Sequence, residues 1–125
     1  MSVIRRWIPR RSDVKQEMEQ ALEFANNEAL KGYIDSMRRF LDEAIEKAER
    51  LRMDISTRIK TIEQAGYEKA LESALEQASD FARQGNTRIA DLYLQLADRH
   101  ASHLGDNARA RVQEARSCLG IAMSE

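Results

Sequence analysis

With 125 residues, 42% of them apolar and 33% charged, and a formal net charge of −1, the chain has the size and balance of one globular domain rather than a nucleic-acid-coating or disordered one. A single cysteine, Cys118, excludes an intramolecular disulfide and fits a reducing cytosol. No apolar run approaches the ~20 residues of a membrane span; the basic N-terminus lacks the apolar segment of a secretory signal, and Met1–Ser12 is short for a transit peptide.

Residues 1–12 read as a basic arm. Val3-Ile4-Arg5-Arg6-Trp7-Ile8-Pro9-Arg10-Arg11 interleaves apolar groups with arginines, and Pro9, the chain's single proline, cannot sit inside a helix. Beyond it, from 13 to 119, apolar residues recur at three- and four-residue spacing, which predicts an all-α domain. Residues 120–125 are expected to fray. Aromatics are only 6% of the chain, so the core is expected to be Leu, Ile, Met and a large share of Ala.

The first helix is expected over 13–31, capped by Ser12 or Asp13, with Val14, Met18, Ala21, Leu22, Ala25 and Ala29 inward and Gly32 as its stop. The second is expected to be the long one, over 33–65. Ile34, Met37, Leu41, Ala44, Ala48, Leu51 and Ile55 alternate spacings of three and four, an a/d seam held for about three heptads. Asp54 and Ser56 could cap a new helix there, but the stripe continues through Ile59 and Ile62, which favours one unbroken rod ending at Gly66. A long seam of this kind is also a ready homodimer surface.

A third helix follows over 67–84, a turn at Gly85-Asn86, and a fourth helix over 87–104. Ile89–Ala97 is apolar around most of its circumference, which predicts a central position for the fourth helix. Gly105 closes it, and a fifth helix carries Ala108, Val112, Ala115 and Leu119 inward. The expected architecture is therefore an antiparallel bundle of four to five helices with one long central helix. A local echo, Glu19–Ala25 against Glu76–Ala82, does not extend far in register, and Ala-rich amphipathic helices generate such matches by chance.

Ala78, Phe81, Gly85, Ala90, Leu94 and Ala97 stand at the spacing of small and large packing positions in a helical hairpin. On these residues the segment 74–105, about a quarter of the chain, resembles a tetratricopeptide repeat unit. It departs from the repeat at Ala74, where an aromatic residue would open it, at Gln77 in place of leucine, and at Ser102 in place of the closing proline; no tandem copy follows. The resemblance implies a hairpin with small residues at the helix crossing and, by analogy, a protein-binding scaffold.

Chemistry-bearing patterns are sparse. His100 and His103 lie one turn apart near a helix end, with Asp98 and Asp106 as neighbouring oxygen donors, a pattern that could hold a metal. The chain has no Glu-x-x-His of the kind used by carboxylate-bridged di-metal bundles, and a hydrogen-bonded pair at a helix terminus accounts for both histidines. Cys118 would need an adjacent base to act as a nucleophile. The glycines are dispersed as punctuation, so no phosphate loop exists. No enzyme activity, cofactor or metal is expected.

The expected role is that of a non-catalytic adaptor, accessory or regulatory protein that binds a protein partner through a helical face. The contact candidates are Arg5, Arg6, Trp7, Arg10 and Arg11 on the arm and Arg83 and Arg88 at the turn side of the third and fourth helices, Trp and Arg being common anchors at interfaces. The arm could alternatively pair with nucleic-acid phosphates, extended by Arg109, Arg111 and Arg116 on the fifth helix, or rest on an anionic membrane surface, or fold back over one end of the bundle.

Overall fold

The computed structural model describes residues 10–120, and Met1–Pro9 and the last five residues lie outside the described part. Among the described residues the chain forms five α-helices and no strand: α1 (Arg11–Lys31), α2 (Ile34–Leu51), α3 (Ser56–Arg83), α4 (Thr87–Ser102) and α5 (Asp106–Leu119). None of these helices is long and apolar enough to cross a membrane.

α1 starts two residues before the expected Asp13, without a side-chain cap. The extended backbone of Arg10 aims its carbonyl at the Asp13 and Val14 amides, 2.9 and 3.0 Å away, which closes the first turn and leaves Asp13 inside it, near the positive end of the helix dipole. The helix ends at Gly32, whose φ of 76° lets its own amide reach Ala29 O and the Tyr33 amide reach Glu28 O, both at 3.0 Å. Glycine is needed here twice over: a Cβ would lie only 3.2 Å from the Ala70 amide nitrogen of α3.

The long helix expected over 33–65 is two helices. α2 stops at Leu51 because Arg52 turns left-handed, φ 55°, and the Arg52 and Met53 amides close the last turn onto Glu49 O and Ala48 O. Asp54 Oδ1 then accepts the Ser56 amide at 2.9 Å, and α3 runs back along the hairpin. The apolar stripe passes unbroken through the turn because both sides of it face one core. Leu51 and Ile55 are 3% and 6% exposed, and Ile59 and Ile62 return over the same cluster. Periodicity reports which residues are buried, and it does not register a reversal of direction at a point where burial continues.

Gly66, expected as a stop, instead lies buried within α3. The missing side chain makes room for Met37 of α2, whose sulfur would collide with a Cβ, and for the Ala29 methyl of α1 at 3.4 Å. Three helices therefore meet at one glycine, and α3 continues for 28 residues, roughly 42 Å at 1.5 Å per residue.

α3 is the long shared element. The α1–α2 hairpin packs on its first half, with α1 running alongside in the same direction, as the Glu19–Arg58 pairing and the Gly32–Ala70 approach show. The α4–α5 hairpin packs on its second half. Two apolar clusters result: one built from Val14, Met18, Leu22, Met37, Leu41, Ile62 and their neighbours, the other from Leu71, Ala74, Ala78, Leu94, Ala97 and Val112, with Leu104 touching both. The fourth helix is not central. One side faces α3 and α5, while Leu92 and Leu96 remain 57% and 37% exposed. The α2 seam is also occupied: Met37, Leu41, Ala44, Ala48 and Leu51 are at most 3% exposed, in a hairpin closed with α1. A homodimer through that seam would require opening the hairpin.

Gly66→Val is expected to lower stability by about 2 kcal/mol in thermal or urea unfolding, because the branched side chain must push Met37 out of a fully buried position. Gly66→Ala should cost less, since the better helix propensity of alanine returns up to ~1 kcal/mol.

Candidate partner-binding trough

The most exposed large apolar side chains among the described residues are Leu30, Tyr33, Leu92, Phe24 and Leu96. Two of these, Tyr33 and Leu96, line the same depression. Its near wall is the α1–α2 turn, Lys31, Gly32 and Tyr33; its floor is Ala70 and Ala74 of α3, with the exposed Ser73 and Gln77 at its rim; its far wall is Tyr93, Leu96 and His100 of α4. The spacing explains the set. Residues 70, 73, 74 and 77 share one edge of α3, and 93, 96 and 100 share one edge of α4. Short side chains on the floor keep the walls apart, leaving about 170 Å³. That is below the ~300 Å³ at which drug-sized ligand sites begin, and suits a single anchoring side chain.

The walls are fixed by aromatic contacts. Tyr93 stacks on Phe81 with centroids 5.5 Å apart, locking the end of the α3–α4 hairpin, and Lys31 Nζ sits 5.8 Å above the Tyr33 ring. The two phenylalanines of the local sequence echo, Phe24 and Phe81, each meet an aromatic of the next helix; Phe24 pairs with Phe40 at 5.3 Å.

His100 and His103 do not form a ligand set. His103 stacks face to face on the buried Tyr67, centroids 4.0 Å apart, and His100 lies 6.2 Å from the same ring. Among the described residues no group of three or more His, Cys, Asp or Glu side chains converges. The pair braces the C-terminal end of α4 against α3. Burial, then the neighbouring His103 and Arg99, hold the His100 imidazole below its usual pKa.

Most arginines singled out from the sequence are engaged. Arg5, Arg6 and Trp7 lie outside the described residues. Arg10 is exposed at the N-cap of α1. Arg11 belongs to α1 rather than to an arm, and its Nη2 donates to Leu51 O at 2.8 Å, covering a bare carbonyl at the end of α2. Arg83 reaches Ser79 Oγ at 3.3 Å and Asp80 at 3.7 Å; Arg88 is exposed. Both mark the α3–α4 turn, away from the trough. On α5, Arg109 is 3.6 Å from Asp106 and Arg111 is paired with Glu68 of α3.

Arg116 is the least expected. It is 4% exposed, with Nη1 donating to Asp91 at 2.7 Å and Nη2 to Asp98 at 3.4 Å, both on α4. Its guanidinium locks α5 to α4 and offers nothing to an outside anion. The three arginines expected as one anion-binding patch therefore face different carboxylates. The tie to α4 had no signal in the sequence, because an arginine on a short polar helix reads as surface.

A larger depression, about 460 Å³, lies between α1 and α3. Arg58 and Glu19 close its rim with two hydrogen bonds of 2.7 and 2.6 Å, and its apolar floor, Leu22 and Ile62, is already buried. None of the exposed large apolar side chains among the described residues lines it, whereas Tyr33 and Leu96 line the trough.

Arg116→Ala should cost about 2 kcal/mol, because it removes a nearly buried side chain that packs α5 on α4, with its hydrogen bond to Asp91, and leaves a void. The Arg116 hydrogen bond, helped by Gln95, holds the Asp91 carboxyl below 3.8. A lowered folded pKa stabilises above the unfolded value and is lost as pH falls through the folded one, so the gap between wild type and Arg116→Ala should narrow in acid denaturation series below about pH 4. His100 has the same sign by another route. The unfolded chain takes up its proton first, so stability should fall as pH drops below 6.5 toward the folded pKa, and His100→Gln should flatten that part of the stability–pH curve.

No protein-family model, no curated protein and no solved structure matches this chain.

Proposed function

We propose that this protein is a non-catalytic, helical interaction module that receives one large apolar side chain of a protein partner in the trough between Tyr33 and α4. The observation that carries this reading is the grouping of Tyr33, Tyr93 and Leu96 around an alanine floor, with two of the three among the large apolar groups that stay in contact with water. A concave apolar spot with a polar rim of Ser73, Gln77 and Lys31 has the layout of a hot-spot pocket, in which an anchor is desolvated and its surroundings exclude water. Such a pocket suits an amphipathic helix or an extended segment presenting Leu, Phe or Met.

The resemblance of the α3–α4 hairpin to a tetratricopeptide repeat unit supports a scaffold role by analogy. The basic segment with Arg5, Arg6 and Arg10, and the turn arginines Arg83 and Arg88, supply a second, electrostatic contact that speeds and orients docking more than it tightens it. The exposed thiol of Cys118 suits a reducing compartment, and we assign the protein to the cytosol on that ground.

Panning a displayed peptide library against the full chain tests the reading. Enriched peptides should carry a large apolar residue, and Leu96→Asp or Tyr33→Asp should weaken their binding at least tenfold, a change of ~1.4 kcal/mol, with the helical circular-dichroism signal unchanged. Reversing Arg83 and Arg88 to Glu should slow association and leave dissociation nearly unaltered. Enriched peptides that bind Leu96→Asp and Tyr33→Asp as well as wild type would remove the trough from the proposal.

A further inference from the structure

Leu92 is 57% exposed and lies outside the trough, yet it belongs to the same side of α4. Ile89, Leu92, Tyr93 and Leu96 are spaced so that they form one apolar stripe, roughly 100° wide. A helix ordinarily turns a stripe of that width toward a core. The core side of α4 is a different one: Ala90, Leu94, Ala97 and Ala101 are fully buried there. α4 therefore carries a second apolar face. Among the described helices it packs on α3 and α5 alone, and Arg116 ties α5 to the side away from the stripe.

The charges of α4 are sorted around it. Its two carboxylates, Asp91 and Asp98, are taken by Arg116 at 2.7 and 3.4 Å. Arg88 and Arg99 flank Leu92 on the solvent side, about three turns apart. Both are exposed, and neither has a carboxylate partner among the described residues. On α3 the border of the trough is the neutral pair Ser73 and Gln77, and Glu76 lies about 100° further round that helix. The stripe is thus edged by cations. Two copies meeting stripe to stripe would set Arg88 and Arg99 against their own likeness, which disfavours a homodimer there. An extended segment fits no better: among the described residues there is no strand edge to pair with its backbone. A helix satisfies its own backbone and presents side chains only.

Resting on the trough as the site of contact, we infer that the partner element is an acidic amphipathic helix of about three turns, lying along α4 on the side opposite α5. Its apolar row packs on Leu92 and Leu96. The side chain nearest the α1–α2 turn drops between Tyr33 and the floor of Ala70 and Ala74. Its flanking Asp or Glu carboxylates meet Arg88 and Arg99.

Peptides retained by the full chain from a displayed library test this in their sequences and shapes. They should carry apolar residues at three- and four-residue spacing with Asp or Glu beside them. Their helical circular-dichroism signal should rise on binding, and a central proline should abolish it. Leu92→Asp, at an exposed position outside the trough, should weaken binding about tenfold. Arg88→Glu with Arg99→Glu should slow association about tenfold at low salt. A peptide with its carboxylates replaced by Lys should then bind that variant better than it binds wild type. Peptides sensitive to Tyr33→Asp and Leu96→Asp but indifferent to Leu92→Asp and to the charge reversal would overturn the helix and leave the trough standing. Indifference to Tyr33→Asp and Leu96→Asp, or a library that yields no binder, removes both. Retained peptides that bind without gaining helix, or that are rich in Lys and Arg, also overturn the helix. So does a dimer in sedimentation that Leu92→Asp dissolves, which places a second copy on the stripe.

Discussion

Close approach of helix axes at positions that carry little or no side chain is the constraint on which the structure depends. Gly66 admits Met37 and Ala29 at one crossing, Gly32 admits the backbone of Ala70 at the next, and Ala74, Ala78, Ala90, Ala97 and Ala101 continue the pattern into the second half. With few aromatic residues to fill space, the core gains density by bringing backbones together. The same economy shapes the surface. Where α3 turns its short side chains outward between two walls, the space that a bulky residue would have filled becomes the trough.

α3 gives the two hairpins a common axis. Its first half belongs to one apolar cluster and its second half to the other, and Leu104 touches both. The Tyr67–His103 stack sits close to the changeover, so the junction is held by flat rings as well as by aliphatic packing. This arrangement explains why an interior glycine survives in the longest helix. The intrinsic cost of glycine in a helix, roughly 1 kcal/mol, is small beside the packing of three helices that it permits.

Charge divides into two kinds of work. Several exposed pairs, such as Arg38 with Glu63 and Arg58 with Glu19, both at 2.6 Å, link helices at the surface and contribute little each. Arg116 differs because it is buried between two carboxylates of α4, where pairing is a condition of burial. It attaches α5, the shortest helix, whose apolar contribution is limited mainly to Ala108, Val112, Ala115 and Leu119.

The all-α class and most of the inward residues of α1, α2 and α5 were legible from the amino-acid sequence, because burial on one face of a helix leaves a period of three to four whatever the helix packs against. Direction was not. Asp54 and Ser56 offer a break, but the stripe that runs on through Arg52 outweighs it, and only the folded chain shows that the break is the one taken; Gly66 has a stop signature, and only its neighbours in space show that it is a packing position. The site follows the same division. Tyr33, Ala74 and Leu96 are far apart in sequence and unremarkable singly, and they become a trough only when α3 sets the α1–α2 turn opposite α4. Local sequence determines which residues avoid water; long-range packing decides which partners they find, since contact across helices depends on distances that no spacing along one helix encodes.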